Sequence, residues 1–188
     1  MTGKPGELTD EQLACLAGAR SEFFEDLARR HQAAVFALIL RLVRNRDDAL
    51  ELAQDSFLKA FQHLSQYDPA QCFKNWLMTI AMNTALNHLD ASRVRRTVPW
   101  AAAAREGIQS AAAPDSPLAQ AGRNELLEMI ERALAQLPDK ARAIFVLYYQ
   151  QSLSCQEISR MLGESVSNVK VSLLRSRRRL RRELALDE

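Results

Sequence analysis

The sequence predicts an all-α protein of two small helical domains joined by a flexible linker, and three observations predict it. Apolar residues recur at the three- and four-residue spacing of a helix face in segment after segment. No window alternates apolar and polar residues over strand length. From 94 to 123 the apolar stripe gives way to Pro99, Gly107, Pro114, Pro117 and Gly122 among many Ala and Ser residues. A length of 188 residues allows one large domain or two small ones, so this interruption decides the division. It gives a tail over 1–20, a first domain over 21–93, a linker over 94–123 and a second domain over 124–188. With 47% hydrophobic and 26% charged residues, the chain buries a core rather than remaining disordered.

Gly3, Pro5 and Gly6, followed by a weak pattern at Leu8, Leu13 and Leu16, predict a frayed tail. From Ser21, read as an N-cap, the residues Phe24, Leu27, Val35, Leu38 and Leu42 form the stripe of a long amphipathic helix. After Arg44-Asn45-Arg46, Asp48 and Glu51 resemble a capping box and open a second helix. Leu50, Ala53, Phe57, Phe61 and Leu64 are its expected buried stripe, with Glu51 and Asp55 on the other face. Tyr67-Asp68-Pro69 breaks it, because Pro disfavours helical geometry in the residue before it. A third helix runs from about Phe73 to Arg93 on Trp76, Leu77, Ile80, Ala81, Ala85 and Leu89.

Beyond the linker, Leu126, Leu127, Ile130 and Leu134 mark a helix that stops at Leu137-Pro138, and another covers Ala141 to Tyr149. Ser154 and Glu157 are spaced as a capping box before Ile158, Met161 and Leu162, and Gly163 ends that short helix. The last helix, Val166 to Leu184, has its apolar residues at Val166, Val169, Leu173, Leu180 and Leu184.

The formal charge of +2 says less than its distribution. Lys170, Arg175, Arg177, Arg178, Arg179, Arg181 and Arg182 follow one another without an acidic residue, whereas Asp47, Asp48, Glu51 and Asp55 cluster early. Surfaces of opposite sign suggest two different partners. Cys15, Cys72 and Cys155 are odd in number and far apart, which indicates neither a disulfide framework nor a zinc site; they read as small apolar residues, buried or half-buried. The chain opens on no signal-peptide pattern and contains no apolar run of membrane-spanning length, so a cytoplasmic location is expected. His31, His63 and His88 are scattered, no HExxH or Gly-rich phosphate loop occurs, and Asp47-Asp48 lack partner ligands. Catalysis, a metal and a cofactor are therefore not expected.

The final two helices follow the helix-turn-helix plan, in which the second helix enters the major groove. Ser167, Asn168, Lys170 and Ser172 then face base edges or phosphates, and the arginine run from Arg175 through Arg178 onward grips the backbone. A helix end that merely complements its own dipole accounts for two of these cations, not seven.

Asp47-Asp48-Ala49-Leu50-Glu51-Leu52-Ala53-Gln54-Asp55-Ser56-Phe57-Leu58-Lys59-Ala60-Phe61 is similar to a signature of the extracytoplasmic-function (ECF) sigma factors, a subfamily of the sigma-70 type. So are Phe73-Lys74-Asn75-Trp76-Leu77-Met78-Thr79-Ile80-Ala81-Met82-Asn83-Thr84, Leu137-Pro138, Cys155-Gln156-Glu157-Ile158-Ser159 and Asn168-Val169-Lys170. The resemblance covers about 21 to 184 and is interrupted at the linker. It implies a sigma region 2 domain for core RNA polymerase and the -10 element, and a sigma region 4 domain for the -35 element.

Carried onto matching positions, the resemblance assigns Asp48, Glu51, Gln54 and Asp55 to docking on core polymerase. Without it, the favoured reading is an acidic helix face simply exposed to water, the usual condition of a surface helix. The resemblance also places Gln71, Asn75, Trp76 and Asn83 at the opened -10 strand, although Phe73 and Trp76 fit core positions as well. Lys74 and Arg93 either contact phosphates or are simply solvated. The implied partners are core polymerase, promoter DNA and an anti-sigma factor, often membrane-anchored, with no small-molecule substrate. The chain departs from the family at Val171 and Ser172, where many members carry Ser and Arg, and in the loop Ala70-Gln71-Cys72. The alternatives are a conventional two-domain helix-turn-helix regulator, whose usual receiver domain needs strands that the first 90 residues lack, and a helical adaptor, which has no need of the arginine run.

Overall fold

The computed structural model describes residues 8–96 and 129–184, so most of the predicted linker, together with Leu126 and Leu127, lies outside the described residues. The chain divides into two compact units, Met1–Gly107 and Ile108–Glu188. Their described residues are helical and form no strand.

Unit 1 contains α1 (Asp10–Ala17), α2 (Ser21–Val43), α3 (Arg46–Gln62), a 3-10 turn (Leu64–Gln66) and α4 (Phe73–Arg96). Residues 10–17, expected as tail, instead form a capped helix. Thr9 and Gln12 make a reciprocal capping box, and Leu13, Ala14 and Ala17 are buried against α2 and α4. The weak sequence signal reflects the brevity of the helix; long-range polar contacts hold it. Asp10 accepts hydrogen bonds from Arg30 (2.8 Å) and His31 Nε2 (2.7 Å), and Glu11 accepts from the Phe73 backbone N–H (3.3 Å) at the start of α4.

Burial pushes the Asp10 carboxyl up, but the hydrogen bonds from Arg30 and His31 outweigh it and hold its pKa below the ordinary 3.8. A depressed carboxylate pKa gives stability that is present above the unfolded value and lost as pH falls through the folded one. Asp10→Asn is expected to cost about 1 kcal/mol at neutral pH, given the partial exposure of these bonds. The difference from wild type, measured by urea unfolding, should close as pH falls below about 4.

Ser21 does not cap α2. It is the first helical residue, and Arg20 occupies the N-cap without a side-chain capping bond. The α2–α3 connection is short because Arg44 takes the left-handed conformation (φ 59°) that ends α2. Asn45 caps α3, accepting from the backbone of Asp47 (2.9 Å) and Asp48 (3.1 Å). The expected Asp48–Glu51 capping box is therefore replaced by an Asn cap three residues earlier. Asp47 and Asp48 remain in the first turn, where negative charge suits the helix dipole.

The buried face of α3 differs in part from the expected stripe, of which Ala53 is buried and Phe57 half-buried. Ala49, Leu52, Ala53, Ser56 and Ala60 form the core stripe, whereas the expected stripe residues Leu50 and Phe61 are 44% and 43% exposed. Small residues at these spacings let α3 lie close to α2 and α4 and leave the larger apolar groups outside. Leu64 is buried as expected, in the 3-10 turn. Phe73, Leu77, Met78, Ala81, Met82 and Ala85 of α4 complete the core with Leu27, Val35, Leu38, Ile39 and Leu42 of α2. Burying Phe73 contributes about 2–3 kcal/mol by area removed from water. Helix α4 continues through 94–96, positions expected to begin the linker. Cys15 and Cys72 are exposed and Cys155 is half-buried, so the reading of all three as buried or half-buried fails for the first two.

Unit 2 contains α5, described over 129–135, then α6 (Asp139–Tyr149), α7 (Cys155–Leu162) and α8 (Val166–Glu183). Ala133, Leu134 and Leu137 pack with Leu180 of α8 and the half-buried Ile130, Phe145 and Leu184. Helix α6 begins two residues before the expected Ala141, directly after Pro138, which serves as N-cap. The predicted Ser154–Glu157 capping box is present: Glu157 N–H donates to Ser154 Oγ (3.2 Å) and Ser154 N–H donates to Glu157 Oε2 (2.8 Å). Gly163 ends α7 at φ 64°, a conformation that favours glycine over any residue with a Cβ.

Candidate nucleic-acid and protein interfaces

On α3, burial of one arc turns Glu51, Gln54 and Asp55 to solvent. Asp48 shares that side but is half-buried, and its carboxylate lies 3.5 Å from His88 Nε2 of α4. The sequence reading missed the apolar part of this surface. Leu58, 56% exposed, sits one turn beyond Gln54 and Asp55 within the acidic row, and Leu50 and Phe61 run along its edge. Phe61 meets Phe24 of α2 edge-to-face, with ring centroids 5.1 Å apart. A row of carboxylates and an amide interrupted by large exposed apolar groups suits a protein partner that is basic and apolar together. Lys59 anchors the inner side of α3 by donating to Thr84 of α4 (3.2 Å).

The loop from Tyr67 to Cys72 is held at several points. Tyr67 is buried, donates from its hydroxyl to the Gln71 carbonyl (2.6 Å) and packs against Phe73 and Trp76 at 5.4 and 5.2 Å between ring centroids. Burial, with smaller contributions from Glu11 and Cys72, pushes the Tyr67 phenol up to about 12, so it stays a donor throughout the physiological range. Asp68 accepts from the Ala70 backbone (2.9 Å), and the Glu11 bond to Phe73 N–H fixes the end of the loop. Phe73 is wholly core, which settles one of the two ambiguous aromatics. Trp76 is half-buried, its ring packed on Tyr67 and Phe73. Asn83 lies two turns beyond Trp76 along the same side of α4 and is exposed, while Asn75 is half-buried and Gln71 projects from the loop into solvent. Of these groups, Gln71 and Asn83 are exposed and Asn75 and Trp76 half-buried, which leaves amides and one aromatic edge accessible.

In unit 2 the capped α7, the turn at Gly163 and α8 make the helix-turn-helix. Ser165 caps α8 by accepting from Asn168 N–H (3.1 Å). Val169, Leu173, Ser176 and Leu180 are its buried side. Ser167, Asn168, Arg175 and Arg178 are exposed away from it, the half-buried Ser172 stands on one flank between Val169 and Ser176, and Lys170 stands on the other with Arg177 and Arg181. The outer side also carries Val171 and Leu174, 41% and 47% exposed, groups of the kind that contact thymine methyls. A cleft of about 490 Å³ separates this side from the start of α6, lined by Lys140, Ile144, Asn168, Val171, Ser172 and Arg175 among others. Arg177 departs from the expected phosphate grip: its Nε donates to Tyr149 Oη, and its guanidinium lies 5.5 and 5.8 Å from the ring centroids of Tyr149 and Tyr148.

A helix-turn-helix whose second helix offers polar groups, apolar groups and arginines on one exposed side has the form of a sequence-reading DNA-binding module. Residues 27–95 match sigma-70 region 2, and residues 127–180 match sigma-70 region 4. CarQ, an RNA polymerase sigma factor of Myxococcus xanthus, is 36% identical over 158 residues, spanning 84% of this chain and 87% of that protein. SigW, an ECF RNA polymerase sigma factor of Bacillus subtilis, is 28% identical over 165 residues, spanning 86% and 88%. Among solved structures, CnrH in complex with the cytosolic domain of CnrY is similar at a TM-score of 0.68 with 26% identity, covering 95% of this chain and 99% of that one. The chain belongs to the sigma-70 family, in its ECF group of sigma factors.

Proposed function

We propose that this chain binds core RNA polymerase and directs it to promoters through a -10 and a -35 element. The observation that carries the reading is the pairing of dissimilar surfaces: a mixed acidic and apolar face on α3 and a basic, polar-tipped recognition helix α8. One fits a protein partner and the other fits duplex DNA. In this reading Asp48, Glu51, Gln54 and Asp55 meet the polymerase, with Leu50, Leu58 and Phe61 supplying apolar contact. Gln71, Asn75, Trp76 and Asn83 hold the opened -10 strand, where stacking and hydrogen bonds offset the unstacking of a base. Ser167, Asn168, Lys170, Ser172, Arg175 and Arg178 dock the -35 duplex.

Phosphodiester chemistry belongs to the polymerase, and the chain contributes recognition and strand capture with no cofactor of its own. An anti-sigma partner holds it inactive by covering these surfaces, a reading supported by the solved complex of CnrH with the cytosolic domain of CnrY. Membrane anchorage of that partner, with this chain in the cytoplasm, completes the proposal. No helix among the described residues is long and apolar enough to cross a membrane.

The test is initiation by purified core polymerase on a promoter pool, with and without this protein. New transcripts sharing paired -10 and -35 elements are the expected result. Binding to duplex DNA without any new initiation would place the chain with conventional helix-turn-helix regulators.

A further inference from the structure

In the turn between α7 and α8, Glu164 joins two side chains that lie far apart in role. One carboxylate oxygen receives the Lys140 ammonium of α6, and the other accepts from Asn168 Nδ2 of α8 at 3.1 Å. The turn itself is fixed. Gly163 adopts φ 64°, Ser159 Oγ donates to the Glu164 carbonyl, and Ser165 caps the helix at Asn168 N–H. Lys140 and Asn168 hold the Glu164 carboxyl below its ordinary pKa, so it is ionised at neutral pH and can only accept hydrogen bonds.

This has a consequence for Asn168, which is exposed and lines the cleft beside Val171 and Ser172. A carboxylate partner admits only the amide nitrogen, so the two ends of the Asn168 side chain are no longer interchangeable. Its Oδ1 and its second N–H remain available outward, an acceptor and a donor side by side. That pair complements the N6 amino group and N7 of adenine in the major groove, and an unconstrained amide would have to be ordered at the moment of binding.

We propose that Glu164 is a positioning residue for promoter reading, setting the amide of Asn168 so that it selects adenine at one base pair of the -35 element. The inference rests on the proposed -35 role of Asn168. Lys140 screens the Glu164 charge, so a carboxylate can stand near DNA without a net repulsive field.

The test is transcription by core polymerase with the full-length protein from a promoter pool randomised through the -35 element, read as base preference per position. Asn168→Ala is expected to flatten one adenine-preferring position by about tenfold. Glu164→Gln keeps the size of the side chain but accepts either orientation of the amide, and is expected to flatten the same position by at least about threefold. The double substitution should flatten it no further than Asn168→Ala alone. Lys140→Ala removes the ion pair but keeps the Glu164–Asn168 bond, and should retain the preference, which a merely structural role for the whole Lys140–Glu164–Asn168 link would not allow. Thermal unfolding of each variant, with equal unfolding midpoints expected for Glu164→Gln and Lys140→Ala, separates loss of reading from loss of fold. A Glu164→Gln profile identical to wild type, where Asn168→Ala flattens a position, would overturn the positioning role alone. An Asn168→Ala profile identical to wild type would overturn it together with the reading of Asn168 on which it rests.

Discussion

Replacing Glu51 and Asp55 together by Arg is expected to weaken association with core polymerase by at least about 100-fold, because reversing two charges at a complementary interface turns attraction into like-charge opposition worth several kcal/mol. Both side chains are exposed, so the free energy of unfolding should stay within about 0.5 kcal/mol of wild type. Asp48 is the poorer choice, since its approach to His88 and its place in the first turn of α3 mix docking with stability. Duplex binding by α8 should be unaffected. Co-migration with core polymerase and -35 duplex affinity, measured on the same preparation, separate the two surfaces; unchanged co-migration would remove α3 from the polymerase interface.

Replacing Arg175 and Arg178 together by Ala is expected to lower promoter affinity by at least about tenfold and to reduce the salt dependence of binding by roughly two counterions. Both lie on the exposed side of α8, where loss of charge costs little packing. Arg177→Ala makes the contrast. That guanidinium is committed to Tyr148 and Tyr149 of α6, so its removal should lower the unfolding midpoint while leaving most of the salt slope intact. Equal salt slopes for Arg175→Ala/Arg178→Ala and wild type would separate the arginine run from the phosphate backbone.

The parts of the fold legible in the sequence are those whose signals are local. The Ser154–Glu157 capping box, the left-handed glycine at 163 and the apolar spacing of α8 each act within one turn of helix, and each is where it was expected. On α3, Ala53 is buried as expected but Leu50 and Phe61 are not, because hydrophobicity alone does not say which face is buried. Ala49, Ala53, Ser56 and Ala60 win the core by being small enough for close helix approach, and Leu50, Leu58 and Phe61 are left outside as part of the candidate interface. A row of small residues at spacings of four, three and four along α3 was the available signal. Helix α1 depends on Asp10 with Arg30 and His31, and on Glu11 with Phe73, pairs separated by 20 residues or more in sequence. The link from Lys140 through Glu164 to Asn168 is likewise invisible until the turn is folded.

Whether this chain turns polymerase into a promoter-opening machine is read by permanganate reactivity of unpaired thymines around the -10 element of a promoter recovered with the protein. Reactivity that requires core polymerase and this chain together, and that falls when the -10 sequence is changed, is the predicted result. Thymines that stay unreactive with both present, on a promoter the chain nevertheless binds, would contradict it.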